Sequence, residues 1–357
     1  PLLLHCDAFE KNLGFKEMLP CFVDGFTPTL SQLALLRKFF PGSSVKARSA
    51  SGCLRIIGLY SIGSIGTLAQ ADRSDLDCWV CVDGDAEARA WLRLKLDRLE
   101  AWAQERFDLE THFFLMTIED VRENRFGLSD EESSGSAQAL LLKDEFYRTC
   151  LRLGGRLPVW WLMPPGIDGI EYRSRLPQAL RFPLLEPNRS VDLGPLDVIP
   201  REEFFGACLW QIVKAIKSPF KSIMKFGLLE FYARCEEQGG HKLLCEQLKD
   251  NLLGGRTSAR DSDPYLLLFE CIRSYYKKQG NHEALYLLRE AFMQRFAADR
   301  AKIAALAAVR EGFAQVLEQM PRADETDGAA KQDPSAWSFS KSSRMGALIS
   351  KFLTDSY

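Results

Sequence analysis

Leu54-Arg55-Ile56-Ile57-Gly58-Leu59-Tyr60-Ser61-Ile62-Gly63-Ser64-Ile65-Gly66 runs from an apolar segment into a turn of small residues, and Ser74-Asp75-Leu76-Asp77-Cys78-Trp79-Val80-Cys81-Val82 resumes the apolar pattern after a short connection. Branched and aromatic side chains over 54–60 predict a β-strand, and 61–66 a turn. Leu76 to Val82 predicts a second strand. From Asp85 to Phe107, Leu92, Leu96, Leu99 and Ala103 recur at helical spacing, the stripe a helix lays on a sheet. Leu109 to Ile118 is again dense in β-branched and aromatic residues. This order predicts an α+β fold, a mixed sheet with flanking helices. The Gly-Ser turn, Asp75/Asp77 and Glu110 then all sit at strand starts or turns of one sheet.

Outward from this segment the pattern changes on both sides. Residues 1–50 read as a helical and irregular appendage, punctuated by Pro20, Gly25, Pro28 and Pro41-Gly42. Residues 127–137 form a polar loop with the composition of a lid. A helix is expected from Gln138 to about Leu153, then one more buried strand, Pro158-Val159-Trp160-Trp161-Leu162-Met163, closing a domain over 51–170. After a poorly patterned connection, Glu202–Lys217, Pro219–Cys235, His241–Leu253, Pro264–Lys278 and His282–Met320 carry helix-spaced apolar residues. They predict an all-helical domain over 171–320. Residues 321–357 read as a linker followed by a short amphipathic segment, Met345 to Leu353.

Composition narrows the function classes. The chain has 357 residues, 46% apolar and 26% charged, with a net charge of -2. That is the profile of a soluble globular protein with material for more than one domain. A protein gripping a long nucleic-acid backbone carries a broad basic excess, so no nucleic-acid partner is expected and any phosphate site is local. No stretch approaches the ~18 apolar residues of a membrane span. The first residues lack a leader pattern, and a cytoplasmic location is expected. Ten cysteines are scattered through apolar segments, which argues for reduced thiols. Cys78 and Cys81 match C-x-x-C, but on a strand positions three apart face opposite sides, a poor metal site.

Asp75 and Asp77, one residue apart on a strand, point to one face and can share hard cations through oxygen ligands, while Leu76 between them points into the core. A lone Asp-x-Asp is common in turns and caps. Gly63-Ser64 upstream changes its weight, because glycine lets the backbone approach a phosphate and serine adds N–H and hydroxyl donors. Glu110 could complete a three-carboxylate cluster of the kind two-metal phosphoryl transfer uses, or be a solvated strand end. His112 shares its strand face and reads as structural. Ser218-Pro219 resembles an N-cap with proline at the first helical position. Lys214 then closes one helix and Lys221 and Lys225 lie one turn apart on the next, a combination suited to an anionic triphosphate. Lys217 reads as part of a solvated basic face.

Gly-Ser, about ten residues, Asp-x-Asp and a later strand acid resemble the DNA polymerase β type nucleotidyltransferase superfamily. Tyr60-Ser61-Ile62-Gly63-Ser64, residues 74–81, Asp144-Glu145-Phe146-Tyr147-Arg148-Thr149 and Phe205-Gly206-Ala207-Cys208-Leu209-Trp210-Gln211, with Lys214, Ser218-Pro219 and Lys221, resemble the class I adenylate cyclases of enteric bacteria. The resemblance implies conversion of ATP to cyclic AMP and pyrophosphate, by attack of the ribose 3′ hydroxyl on the α-phosphorus of the same molecule. It implies two Mg²⁺ ions, with Mn²⁺ as a substitute, on Asp75, Asp77 and Glu110. Gly63, Ser64, Lys214, Lys221 and Lys225 would handle the triphosphate, with the helical domain closing the nucleotide cleft. Arg148 would either approach phosphate or form a buried pair with a carboxylate. The same site could instead pass a nucleotide to a separate acceptor, or bind nucleotide silently. The enteric enzymes continue into a long C-terminal regulatory region, which leaves a regulatory protein partner open.

Overall fold

A computed structural model of the chain describes residues 1–11, 21–45, 54–70, 74–126, 136–181, 189–196, 199, 201–216, 218–237, 243–297 and 339–355. The chain divides into two units, Pro1–Ile65 with Arg73–Ser133 and Glu145–Asp197, and Gly66–Asp72 with Ser134–Asp144 and Val198–Tyr357.

In chain order the first unit begins with α1 (Leu2–His5), α2 (Ala8–Lys11), β1 (Cys21–Val23), α3 (Leu30–Phe39), β2 (Leu54–Ile62) and β3 (Leu76–Asp83). It continues through α4 (Ala86–Phe107), β4 (Thr111–Thr117) and α5 (Ile118–Arg122) to α6 (Ser136–Thr149), within which the division falls. β5 (Leu151–Gly155), β6 (Leu157–Pro158), a 3₁₀ turn (Val159–Leu162), α7 (Gly169–Ala179) and β7 (Ser190–Val191) complete it.

The main sheet is mixed, as the sequence predicts. β2 lies antiparallel to β3, and β3 runs parallel to β4 with α4 as the crossover. β1 pairs in parallel with Leu54–Ile56 and β5 antiparallel with 58–61, so the two share one edge of β2 in succession. α4 begins on Asp85, whose side chain accepts from the Ala88 N–H at 2.8 Å, a local start signal. Its buried stripe, Ala88, Leu92, Leu96, Leu99 and Ala103, repeats the predicted spacing. Leu92, Leu96 and Leu99 pack with Cys78, Val80 and Val82 of β3, and Leu76 lies against the same cluster. Each such fully buried aliphatic side chain contributes roughly 1.5–3 kcal/mol. α4 also covers the sheet edge, where Glu100 accepts from the Phe113 N–H at 2.7 Å, removing a donor that a foreign strand could pair with.

The opposite face is aromatic. Trp79 stacks on Phe146 of α6 with ring centroids 4.2 Å apart, and Tyr60 meets Phe146 edge-on at 5.4 Å. Tyr147 stacks on Trp160 at 4.3 Å, and its hydroxyl donates to the Gly194 carbonyl at 2.7 Å.

The second unit contains α8 (Arg201–Ala215), α9 (Pro219–Glu237), α10 (Leu244–Leu253), α11 (Ala259–Ser262), α12 (Pro264–Gln279), α13 (His282–Ala297) and α14 (Phe339–Asp355). α9 packs against α8, α12, α13 and α14. Gly227 leaves room for α12 against α9, since a Cβ there would meet Ile272 Cγ2 at 2.7 Å. The start of α10 is capped from a distance. The Leu244 N–H donates to the Tyr232 hydroxyl at 2.8 Å and the Cys245 N–H to Asp144 at 3.0 Å.

Several local expectations are corrected. Val159–Leu162 is a 3₁₀ turn, not a strand, because only Leu157 and Pro158 find a partner, in β7. Helix α6 ends at Thr149, and Leu151–Gly155 pairs as β5. The first fifty residues supply a strand as well as helices. Residues 127–135 of the expected lid, the linker 321–337 and Lys217 lie outside the described residues, and the last two lid positions begin α6. Among the described residues no helix is long and apolar enough to cross a membrane.

Candidate active site

Strand alternation sets the site. Leu76, Cys78, Val80 and Val82 face α4, which puts Asp75 and Asp77 on the other side with Trp79. Both aspartates are half-buried. Asp77 sits opposite Ile62 on one neighbour and opposite His112 on the other. The pairing extends one step beyond the strand ends, because the Leu76 N–H donates to the Glu110 carbonyl at 2.9 Å. Register therefore brings Asp75 and Asp77 alongside Glu110 and His112, on one face.

The side chains do not all converge. Glu110, 63% exposed, pairs with His112 Nε2 at 3.0 Å, the histidine itself being 48% exposed. Among the described residues no three His, Cys, Asp or Glu side chains stand together as a metal site. The donors still suit Mg²⁺, which is commonly held by one or two carboxylates and completed by substrate phosphates and water. Cys78 and Cys81 are poor alternatives. Both are buried in the strand, and burial pushes each thiol up to about 12, which keeps the thiolate a metal needs from forming.

The Gly-Ser turn follows β2. Gly63 has φ +86° and Gly66 φ +78°, conformations that disfavour side chains. The Gly63 N–H donates to Thr149 Oγ1 at 3.0 Å, and the Thr149 hydroxyl donates in turn to the Glu145 carbonyl at 2.7 Å. The Ser64 and Ser74 hydroxyls share a hydrogen bond of 2.9 Å, and Ser74 directly precedes Asp75. Neither partner was legible from sequence, although both lie in motifs that could have flagged them: Thr149 ends the Asp-Glu-Phe-Tyr-Arg-Thr string and Ser74 opens the Ser-Asp-Leu-Asp string.

The remaining expected residues fall as follows. Arg148 is buried near the end of α6. Lys214, Lys221 and Lys225 belong to the second unit, whereas Asp75, Asp77 and Glu110 belong to the first. Lys214 lies in the last turn of α8 with Nζ over the Trp210 ring at 5.1 Å. α9 starts at Pro219, so Lys221 and Lys225 occupy its first two turns, Lys221 exposed and Lys225 half-buried. In the same conspicuous string, Asp144 caps α10 and Tyr147 is tied to Gly194, both packing roles.

Comparison with known proteins adds identity to this geometry. A family model described as adenylate cyclase NT domain matches residues 1–161, and one described as adenylate cyclase, class-I, second domain matches residues 199–357. The chain is 35% identical over 301 residues to the adenylate cyclase of Yersinia pestis, covering 82% of this chain and 34% of that protein. It is 35% identical over 287 residues to the adenylate cyclase of Escherichia coli K12, covering 77% of this chain and 33% of the relative. The Salmonella typhi adenylate cyclase is 34% identical over 291 residues, again 77% of this chain and 33% of the relative. The chain thus spans about a third of the length of the curated relatives it matches. No solved structure matches it.

Proposed function

The chain belongs to the class I adenylate cyclase family, and from that premise we propose that it converts ATP to cyclic AMP and pyrophosphate. The observation that carries this is the β3–β4 register, which sets Asp75 and Asp77 beside Glu110 and His112 on one face. In the reaction the ribose 3′ oxygen forms a bond to the α-phosphorus, the bond from that phosphorus to the β-phosphate bridging oxygen breaks, and the 3′ hydroxyl proton is lost.

Asp75 and Asp77 would hold Mg²⁺, with Glu110 contributing. When bound, the metal neutralises phosphate charge and acidifies the attacking hydroxyl. The residues supply the rest. Ser64 and the turn around it orient the β- and γ-phosphates through small residues that let the backbone approach. Glu110, hydrogen-bonded to His112, would help take up the departing proton. Lys214, Lys221 and Lys225 neutralise charge that develops on pyrophosphate.

Incubation of the purified chain with ATP and Mg²⁺, followed by chromatographic separation, tests the proposal. Cyclic AMP formed without any acceptor is the expected product. No cyclic AMP under conditions in which an added acceptor becomes nucleotidylated would replace it with intermolecular transfer.

A further inference from the structure

Thr149 lies far in sequence from the Gly-Ser turn, yet it is buried, 6% exposed, and its hydroxyl accepts from the Gly63 N–H at 3.0 Å. We propose that Thr149 is a positioning residue, which latches the phosphate-binding turn to the end of α6 and presents it, through Gly63, to the nucleotide. This rests on the assignment of the turn to triphosphate binding.

Three features of the first unit carry the inference. The hydroxyl works in both directions, accepting from Gly63 and donating to Glu145 of its own helix at 2.7 Å. A hydroxyl with one proton and lone pairs to spare fits this relay, and valine of the same shape cannot accept. The turn needs such support, because Gly63 holds a left-handed φ of +86° in a conformation with little intrinsic preference. The second latch, Ser64 to Ser74 at 2.9 Å, ties the next residue of the turn to the segment entering Asp75. One latch therefore sets the turn against the helix and the other sets it against the metal-binding strand. The relay also occupies the Gly63 N–H, so the donors of the turn that face a phosphate are those of its neighbours. Thr149 thereby selects which groups of the turn remain for the nucleotide.

A turn that grips phosphate in both the ground and transition states contributes uniform binding, so its loosening raises KM with little change in kcat. Thr149→Val and Thr149→Ser separate this role from general support of the fold. In Thr149→Val, KM for Mg-ATP should rise about tenfold, the loss of one hydrogen bond's worth of organisation, with kcat within about threefold. Thr149→Ser, which keeps the hydroxyl, should restore KM to within about twofold. Backbone amide exchange at Gly63, read by mass spectrometry or NMR, should quicken in Thr149→Val alone. Unchanged exchange at Gly63 in Thr149→Val overturns the latch, whatever the enzyme's activity. Quickened exchange with KM unmoved overturns the positioning role. Equal loss in Thr149→Val and Thr149→Ser, or a loss in kcat with a lowered melting temperature, overturns it as well. Failure of the wild-type chain to make cyclic AMP refutes the proposed activity instead, and the exchange measurement still decides the latch.

Discussion

The two faces of β3 are made by alternate residues of one short strand, yet they answer to different constraints. Leu76, Cys78, Val80 and Val82 press against α4, where every position is occupied by packing. On the other face Trp79 is buried and stacks on Phe146, whereas Asp77, one step toward the strand's start, is half-buried. A strand embedded in a sheet can be structural along its length and chemical at its start, where its side chains are only half-buried.

Asp77→Asn gives the sharpest break of this contrast. Cyclase activity should fall at least about a hundredfold, the scale of losing a metal-binding carboxylate, while the melting temperature holds. Near-normal turnover would remove Asp77 from the site. Leu96→Ala probes the packed face. It should cost roughly 2–5 kcal/mol in urea unfolding, as expected for a buried leucine, with KM for ATP unchanged in the protein that remains folded. A large KM change there would mean that the two faces are not separable.

Lys221→Ala asks whether the second unit's lysines act on phosphate. An exposed lysine contacting triphosphate should raise KM severalfold, more at low than at high ionic strength. An effect independent of salt would point to packing. The smallest effect concerns Cys78 and Cys81. Their thiols ionise at an ordinary 9.0 when unfolded but at about 12 when buried. Their contribution to stability is therefore complete below pH 9 and lost as pH rises from about 9 toward 12. Alanine at either position should flatten the alkaline loss of stability measured by denaturant titration. Rapid thiol labelling of the native protein at neutral pH would contradict their burial.

The strands and helix that frame the site were legible because each carries its own periodicity, as in the apolar run of β2 and the Leu92, Leu96, Leu99 stripe of α4. β1 and β5 were not legible. β1 has three residues, and the half-exposed Leu151–Gly155 becomes a strand only because an edge of β2 is available to pair with. Val159–Leu162 is equally apolar as strand or turn, and periodicity cannot choose over so short a run.

The residue pattern alone fixed the alternation that sets Asp75 and Asp77 on one face, the turn chemistry of Gly63-Ser64 and the likeness to the class I adenylate cyclases. These are properties of neighbours in the chain, decided by local sterics and side-chain type. Only the tertiary structure decided that Glu110 and His112 stand beside those aspartates, that Thr149 holds the Gly63 amide and that Asp144 caps α10. Such contacts join residues brought together by register and burial, and a one-residue shift in strand pairing would place different side chains at each of them.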